Sequence, residues 1–582
     1  MIKRRFIAVL SGIFVLFLTI VIVINSTKNQ ISTPVDDTFK QYTNKLFKSM
    51  LPTDSFSLHY CLNSPEKYGI DNVNCSIGNF NYREMLNCDT YYAGLLEQLN
   101  EFNYEDLSDE NKVTYDCLQF YFRNEMDFSD YVMNYEVLTP TTGIQAQLPI
   151  LLNQYSFNSI KDVTDYLSML SSIPSYFDSI CDFEEEKARN GYFMSQSNLQ
   201  GIIRQCNEFA DSPDNFLISD FPERLSALNI DDESQLSTFS SQNRDAITNI
   251  VIPAYQKLAT RLKEISKTVA NPDSTGCLCH YPKGKNYYSY LARSYTGSSR
   301  TVHDMEKMIK SKLRTDLATL LKYNNNPDIL SELQHIDEEP VDARGIIDSL
   351  INDSLADFPK PQSINYTLKD VPKSLEQHLS PAFYIVPPID LPNKNIIYLN
   401  QTSNNGYMEM YATLAHEGYP GHLYQCNYFS SGSPDSIRHL INFDGYNEGW
   451  ATYVEIYSYR YLFENSNTAQ YMAANASYSL ALHALCDIGV NYRGWSVSDT
   501  ASHLHKYGVV DVESAQAIFN LVTESPANYL KYYVGYLEIL SLKESFKQSL
   551  GTRYSDKKFH TFLLEQGPAP FEVIRNNIPL YK

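Results

Sequence analysis

The chain has 582 residues, 43% of them hydrophobic, which is enough for a sizeable folded core and length enough for more than one domain. Its 47 lysines and arginines face 68 aspartates and glutamates, for a net charge of −21. Binding phosphate needs a basic surface, so this balance excludes nucleic acid as a partner.

In chain order, Lys3, Arg4 and Arg5 precede an apolar run from Phe6 to Ile24. At 1.5 Å per residue that run spans roughly 28 Å, about one hydrocarbon core. It exceeds the apolar stretch of a secretory signal (about 7–15 residues), and neither a small-residue cleavage site nor a lipid-attachment cysteine closes it. Positive charge stays inside, which sends everything after Asn25 outward. The expectation is a single-pass signal anchor over residues 1–30, with the membrane as partner through that helix and an extracytoplasmic catalytic part. Secretion after signal cleavage is the alternative.

Residues 31–40 read as a polar linker. From 41 to 270 the pattern is helical, with apolar residues at three- and four-residue intervals and Gly191 just past one helix, where a left-handed turn is expected. Another amphipathic helix starts near Thr301 or Asp304. "AFYIVPP" (382–388) and "NIIYLNQT" (395–402) are β-branched and aromatic, and predict a short antiparallel pair. Helical periodicity resumes near Gly406 and continues to the end. The fold class is mainly α with a small antiparallel β element, and 271–582 forms the catalytic part, continuous with 41–270. Ten cysteines show no disulfide framework, although Cys61 and Cys75 could close a short loop. "CLCH" (277–280) lacks the second ligand pair of a zinc finger.

The chemistry concentrates in "HEGYPGH", His416 to His422. A hydrolytic zinc site needs three protein ligands, an open position and a nearby carboxylate. Histidines four apart on a helix converge on one ion, whereas residues six apart diverge by about 120° and about 9 Å along the axis. Pro420 cannot donate to the carbonyl of His416, and Gly418 and Gly421 tolerate unusual backbone angles. The helix is therefore expected to break between Tyr419 and Gly421 and return His422 to the site. Downstream, "YNEGWATYVE" puts Glu448 and Glu455 on one face of a second helix. One carboxylate can bind the metal while the other orients a ligand imidazole.

"AHEGYPGH", Gln425 and "NEGWATYVE", together with "SPAFYIVPP", "DIGVNYRGW", "SPANYLKYYVGY" and "FHTFLLEQGPAPFEVI", resemble the DUF885 family over most of the chain after about residue 35. The resemblance implies a zincin-like, gluzincin-type metallopeptidase with one zinc ion. It implies His416, His422 and Glu448 as metal ligands and Glu417 as catalytic base. The family has a histidine where this chain has Asn491.

The expected reaction is hydrolysis of a peptide substrate, with Glu417 moving the proton. Tyr533 leads the candidates for the oxyanion donor, followed by Tyr536, Arg493 and Asn491, and Glu455 is expected behind a ligand histidine. The β pair offers an edge strand to an extended peptide. Two other readings stay open: a zinc hydrolase of a non-peptide amide or ester, and a non-catalytic binding protein on the same scaffold. The oligomeric state is not legible in the sequence.

Overall fold

The computed structural model describes residues 34–581 apart from 72, 227, 229, 270–275, 361–364, 372–375, 377–379 and 401–405. The helices begin and end where local chemistry directs. Thr301 caps the helix Val302–Tyr323 by accepting from the Asp304 N–H at 3.2 Å. Helix α1 (Ile173–Arg189) gives way to Gly191 at φ 81°, the left-handed turn a glycine allows.

Two large hydrophobic cores stand out among the described residues. One is built within residues 56–265, around Tyr166, Ile180, Ile202 and Tyr255. The larger core gathers residues from Phe39 to Ile578. Phe39, Leu46, Leu118 and Phe122 thus pack with the C-terminal helices although they lie early in the chain. The Phe120 and Phe443 rings, 6.0 Å apart, illustrate the contact. A division at residue 270 therefore does not separate the cores, because the first helices belong with the last.

Three strands, β1 (Tyr366–Asp370), β2 (Ala382–Ile385) and β3 (Asn395–Leu399), form a mixed sheet in the order β1-β3-β2. The antiparallel β2–β3 pair agrees with the sequence reading, with Ala382 opposite Leu399 and Ile385 opposite Ile396. β1 adds a parallel strand that the sequence reading does not contain. Alternation assigns the two faces. Ala382, Ile397 and Leu399 enter the larger core, and Phe383, Ile385, Ile396 and Tyr398 pack with Val371, Ile150 and Phe216 on the other side. β2 is left as an edge of the sheet.

The helices that carry the candidate site residues, or pack against those that do, are α2 (Gly284–Thr296), α3 (Tyr407–Glu417), α4 (His422–Ser431), α5 (Asp444–Leu462), α6 (Ser466–Asp487) and α7 (Asn528–Leu550). α5 and α7 meet at glycines. A Cβ on Gly449 would sit 2.4 Å from the Gly535 carbonyl carbon, and one on Gly535 would sit 2.1 Å from the Gly445 oxygen. This approach, available only without side chains, brings the start of α7 against the face of α5 that carries Glu448.

Membrane attachment through an N-terminal helix needs correction. The run Phe6–Ile24 lies outside the described residues, and among the described residues no helix is long and apolar enough to cross a membrane. The membrane-spanning partner and the transmembrane helix expected from sequence thus have no structural support. Cys61 and Cys75, the one loop closure the sequence suggested, are both free thiols.

Candidate metal centre

α3 stops at Glu417, and the chain then leaves helical geometry for four residues. Gly418 takes φ −102°, ψ −101°, the Tyr419–Pro420 bond is cis, and Gly421 takes φ −81°, ψ −136°. α4 begins at His422. A Cβ at Gly421 would lie 1.8 Å from the carbonyl oxygen of His416, so the turn folds back onto the last turn of α3 through a position only glycine can fill. The indole N–H of the buried Trp450 donates to the Pro420 carbonyl at 2.9 Å, tying the break to α5. The expected departure from helical regularity between Tyr419 and His422 is present, and the two imidazole rings lie 4.9 Å apart at 79°.

These elements bring the motif residues together. His416, Glu417 and His422 each offer a ligand atom, all within 4.8 Å of one another. Glu448 on α5 directs Oε2 at both imidazoles, 3.7 Å from His416 Nε2 and 3.4 Å from His422 Nε2. Donors about 2.0–2.2 Å from one tetrahedral ion stand roughly 3.4 Å apart, so this donor set fits a single zinc ion. Glu455, two turns further along α5, holds His416 Nδ1 at 3.0 Å. With a metal on Nε2, that contact would make Nδ1 the proton-bearing nitrogen. The side chains of His416, His422, Glu448 and Glu455 are mostly shielded, with between 15% and 24% of their surface exposed.

The electrostatics agree with a cation at this point. Burial disfavours the charged form of His416, but its contacts with Glu448 and Glu455 prevail and push its pKa up to about 10. Burial likewise works against ionised Glu448, yet the two histidines and Lys531 hold its pKa well below the usual carboxylate range. Three carboxylates around two imidazoles favour positive charge here, whether a proton or a metal ion supplies it.

Glu417 is fixed from the sheet side. Its Oε2 accepts the Tyr384 N–H at 3.0 Å, from the outer edge of β2. On the opposite side, α7 contributes two residues that sequence reasoning missed. Lys531 Nζ lies 3.6 Å from Glu448 Oε1, and the Tyr532 ring lies 6.4 Å from that of His416. Burial, reinforced by Glu448, Glu417 and Asp444, keeps the Tyr532 phenol protonated.

Four other predicted residues do not reach the centre. Tyr533 is fully buried and bonds Ser477 Oγ at 3.1 Å. One residue along a helix turns the side chain by about 100°, so Tyr532 and not its neighbour faces His416. Tyr536 packs beside Tyr533. Asn491 is buried as a scaffold: its amide donates to the Val522 carbonyl at 2.7 Å and to Asp487 Oδ1 at 3.1 Å, and its oxygen accepts from the Leu278 N–H. Asp487 Oδ1 also accepts the Ala527 N–H at 3.0 Å, so Asn491 helps seat the start of α7. Arg493 pairs with Glu306.

Comparison with known proteins identifies the fold and the family. A solved structure described as "the putative lipoprotein from Colwellia psychrerythraea" superposes with a TM-score of 0.82 at 17% identity, covering 94% of this chain and 99% of that one. A second, "a putative lipoprotein of unknown function from Shewanella oneidensis", gives 0.63 at 14% identity, covering 92% and 98%. Both likenesses concern the fold. No curated protein matches the chain. Residues 88–578 match the family described as "Bacterial protein of unknown function (DUF885)", and the chain belongs to that family.

Proposed function

We propose that this protein is a metal-dependent hydrolase of peptide bonds, with one zinc ion held by His416, His422 and Glu448 and with Glu417 as general base. The observation that carries the reading is the break at Gly418–Gly421, which sets two imidazoles against one oxygen of Glu448 with Glu417 beside them. Bound there, zinc would supply a Lewis acid for the substrate carbonyl and would lower the pKa of a water.

The chain's own residues do the rest. Glu417 accepts the proton of the attacking water and returns it to the leaving amine. The Tyr384 N–H on its Oε2 holds the carboxylate in one orientation, so Oε1 is the oxygen that exchanges the proton. Glu455 keeps His416 in the required tautomer. Tyr532 replaces Tyr533 as the donor to the developing oxyanion, a role that preorganised hydrogen-bond donors fill at a large gain in rate. β2, the edge strand beside Glu417, suits an extended peptide that adds as a further strand. An extracytoplasmic, membrane-associated location accompanies this reading, supported by the description of both structural neighbours as lipoproteins.

The test is zinc analysis of the purified protein, followed by chelation, zinc return and a screen of peptides against non-peptide amides and esters. Peptide hydrolysis that disappears with the metal and returns with it supports the proposal. Stoichiometric zinc with turnover of esters or non-peptide amides alone would replace the substrate class. A chain that binds no zinc would overturn the proposal.

A further inference from the structure

A cavity of about 250 Å³ adjoins the metal centre. Lys531 forms the wall between them: it lines the cavity and reaches Glu448 Oε1 at 3.6 Å. Asp444 lines it too, one turn before Glu448 on α5 and so on the same face of that helix. Glu136, Asn134 and Glu524 contribute further acceptors, and the rings of Tyr287 and Tyr295 form part of the lining.

The lining carries more negative than positive charge, with Glu136, Asp444 and Glu524 against Lys531, and Glu136 has a buried partner behind the wall. Lys187 on α1, fully buried, meets Glu136 at 2.7 Å and Glu184 at 3.3 Å, and its third close partner is the Tyr135 carbonyl at 3.0 Å. One ammonium thus serves two carboxylates. Glu136 Oε2 and Glu184 Oε2 are both buried without a hydrogen-bond partner. So is Oδ1 of Asn134, a residue only 4% exposed. These oxygens have no exposed surface to offer a ligand, and act on the cavity only through the negative potential they leave at its wall. Every unmet atom in this set is an acceptor, and aromatic faces attract cations. Lys531, the lysine that lines the cavity, is engaged with Glu448.

We propose that this cavity is the subsite for a positively charged group of the substrate, an ammonium or guanidinium carried by a peptide's N-terminus or by a lysine or arginine side chain. Its place in catalysis rests on the peptide-hydrolase reading of the adjoining centre, whereas cation binding itself does not.

The experiment is calorimetric titration of the full chain at low salt with n-butylguanidinium and, as a neutral isostere, n-butylurea. The guanidinium should bind at least about tenfold tighter, and Glu136→Gln and Asp444→Asn should each erase most of that difference. Glu136→Gln removes a partner of Lys187, so Asp444→Asn, which leaves that pair intact, decides the matter if the first variant misfolds. Equal affinity for the two probes, no binding of either, or an Asp444→Asn protein that binds the guanidinium like the parent would overturn the subsite. Matched peptides then separate the sources of charge. Loss of cleavage on N-acetylation assigns the cavity to the N-terminus, and a preference for lysine or arginine over norleucine assigns it to a side chain. Cation binding without cleavage of any peptide would leave the subsite standing and remove the peptidase reading. Cleavage indifferent to charge would do the reverse.

Discussion

Trp450 and Pro420 are joined by a hydrogen bond of 2.9 Å from the indole N–H to the prolyl carbonyl, wholly inside the protein. Glu448 and Trp450 are two residues apart on α5, and Pro420 is two residues before His422. One helix therefore both supplies an acidic donor and fixes the turn that delivers the second histidine. Trp450→Phe removes the donor and leaves the carbonyl buried, at a cost of about 1–3 kcal/mol. Urea unfolding should show that loss, and zinc titration should show affinity about tenfold weaker.

In the proposed centre, Glu455 would act on the metal through its contact with His416. Replacing it by glutamine keeps a group that can bond Nδ1, while alanine leaves the ring unsupported. Removal of such a partner typically costs about 10–100-fold in metal affinity. Competitive zinc titration should rank the parent first, Glu455→Gln next and Glu455→Ala last.

Tyr532 and Tyr533 make a paired test of the oxyanion donor. Tyr532→Phe should lower kcat by about 10²–10³ with little change in KM. Tyr533→Phe removes the bond to Ser477 and should lower stability by roughly 1 kcal/mol with kcat kept. The opposite assignment in steady-state kinetics would return the role to Tyr533.

The interruption of the helix between Glu417 and His422 is legible in the sequence because Pro420, lacking an N–H, and the two glycines leave the helix no regular continuation. Glu448 and Glu455 are legible because seven residues on a helix return to the same face. Tyr532 is not, because the choice between adjacent tyrosines depends on the rotation of α7, which the Gly449–Gly535 contact sets. Asn491 and Arg493 lie close to the site's supports in sequence and structure, but their partners are Asp487, Val522 and Glu306, a distribution that spacing cannot reveal. β1 escapes notice because its polar "YTLKD" is mostly exposed and finds its partner 29 residues later, parallel to β3.

His560 provides a pH signature independent of the metal. It is fully buried, its Nδ1 donates to the Asp357 carbonyl at 2.7 Å, and its Nε2 accepts from the Tyr453 hydroxyl at 2.8 Å. Burial lowers its pKa from 6.5 to about 3, against the opposing pull of the Asp357 carbonyl. The folded state thus resists a proton that the unfolded chain accepts. Its contribution is present above pH 6.5 and is lost as pH falls towards 3, by up to about 1.4 kcal/mol per unit. Urea midpoints measured between pH 7 and 5 should fall with acid, and the slope should be shallower in His560→Gln.

The central claim is that Glu417 performs proton transfer beside a metal held by His416, His422 and Glu448. Glu417→Gln keeps the shape of the side chain and removes its basicity, so zinc content and peptide turnover measured on the same preparation test it most directly. The account predicts one zinc per chain, as in the parent, and turnover lowered by at least about 10². Parental turnover in a zinc-loaded Glu417→Gln protein would contradict it.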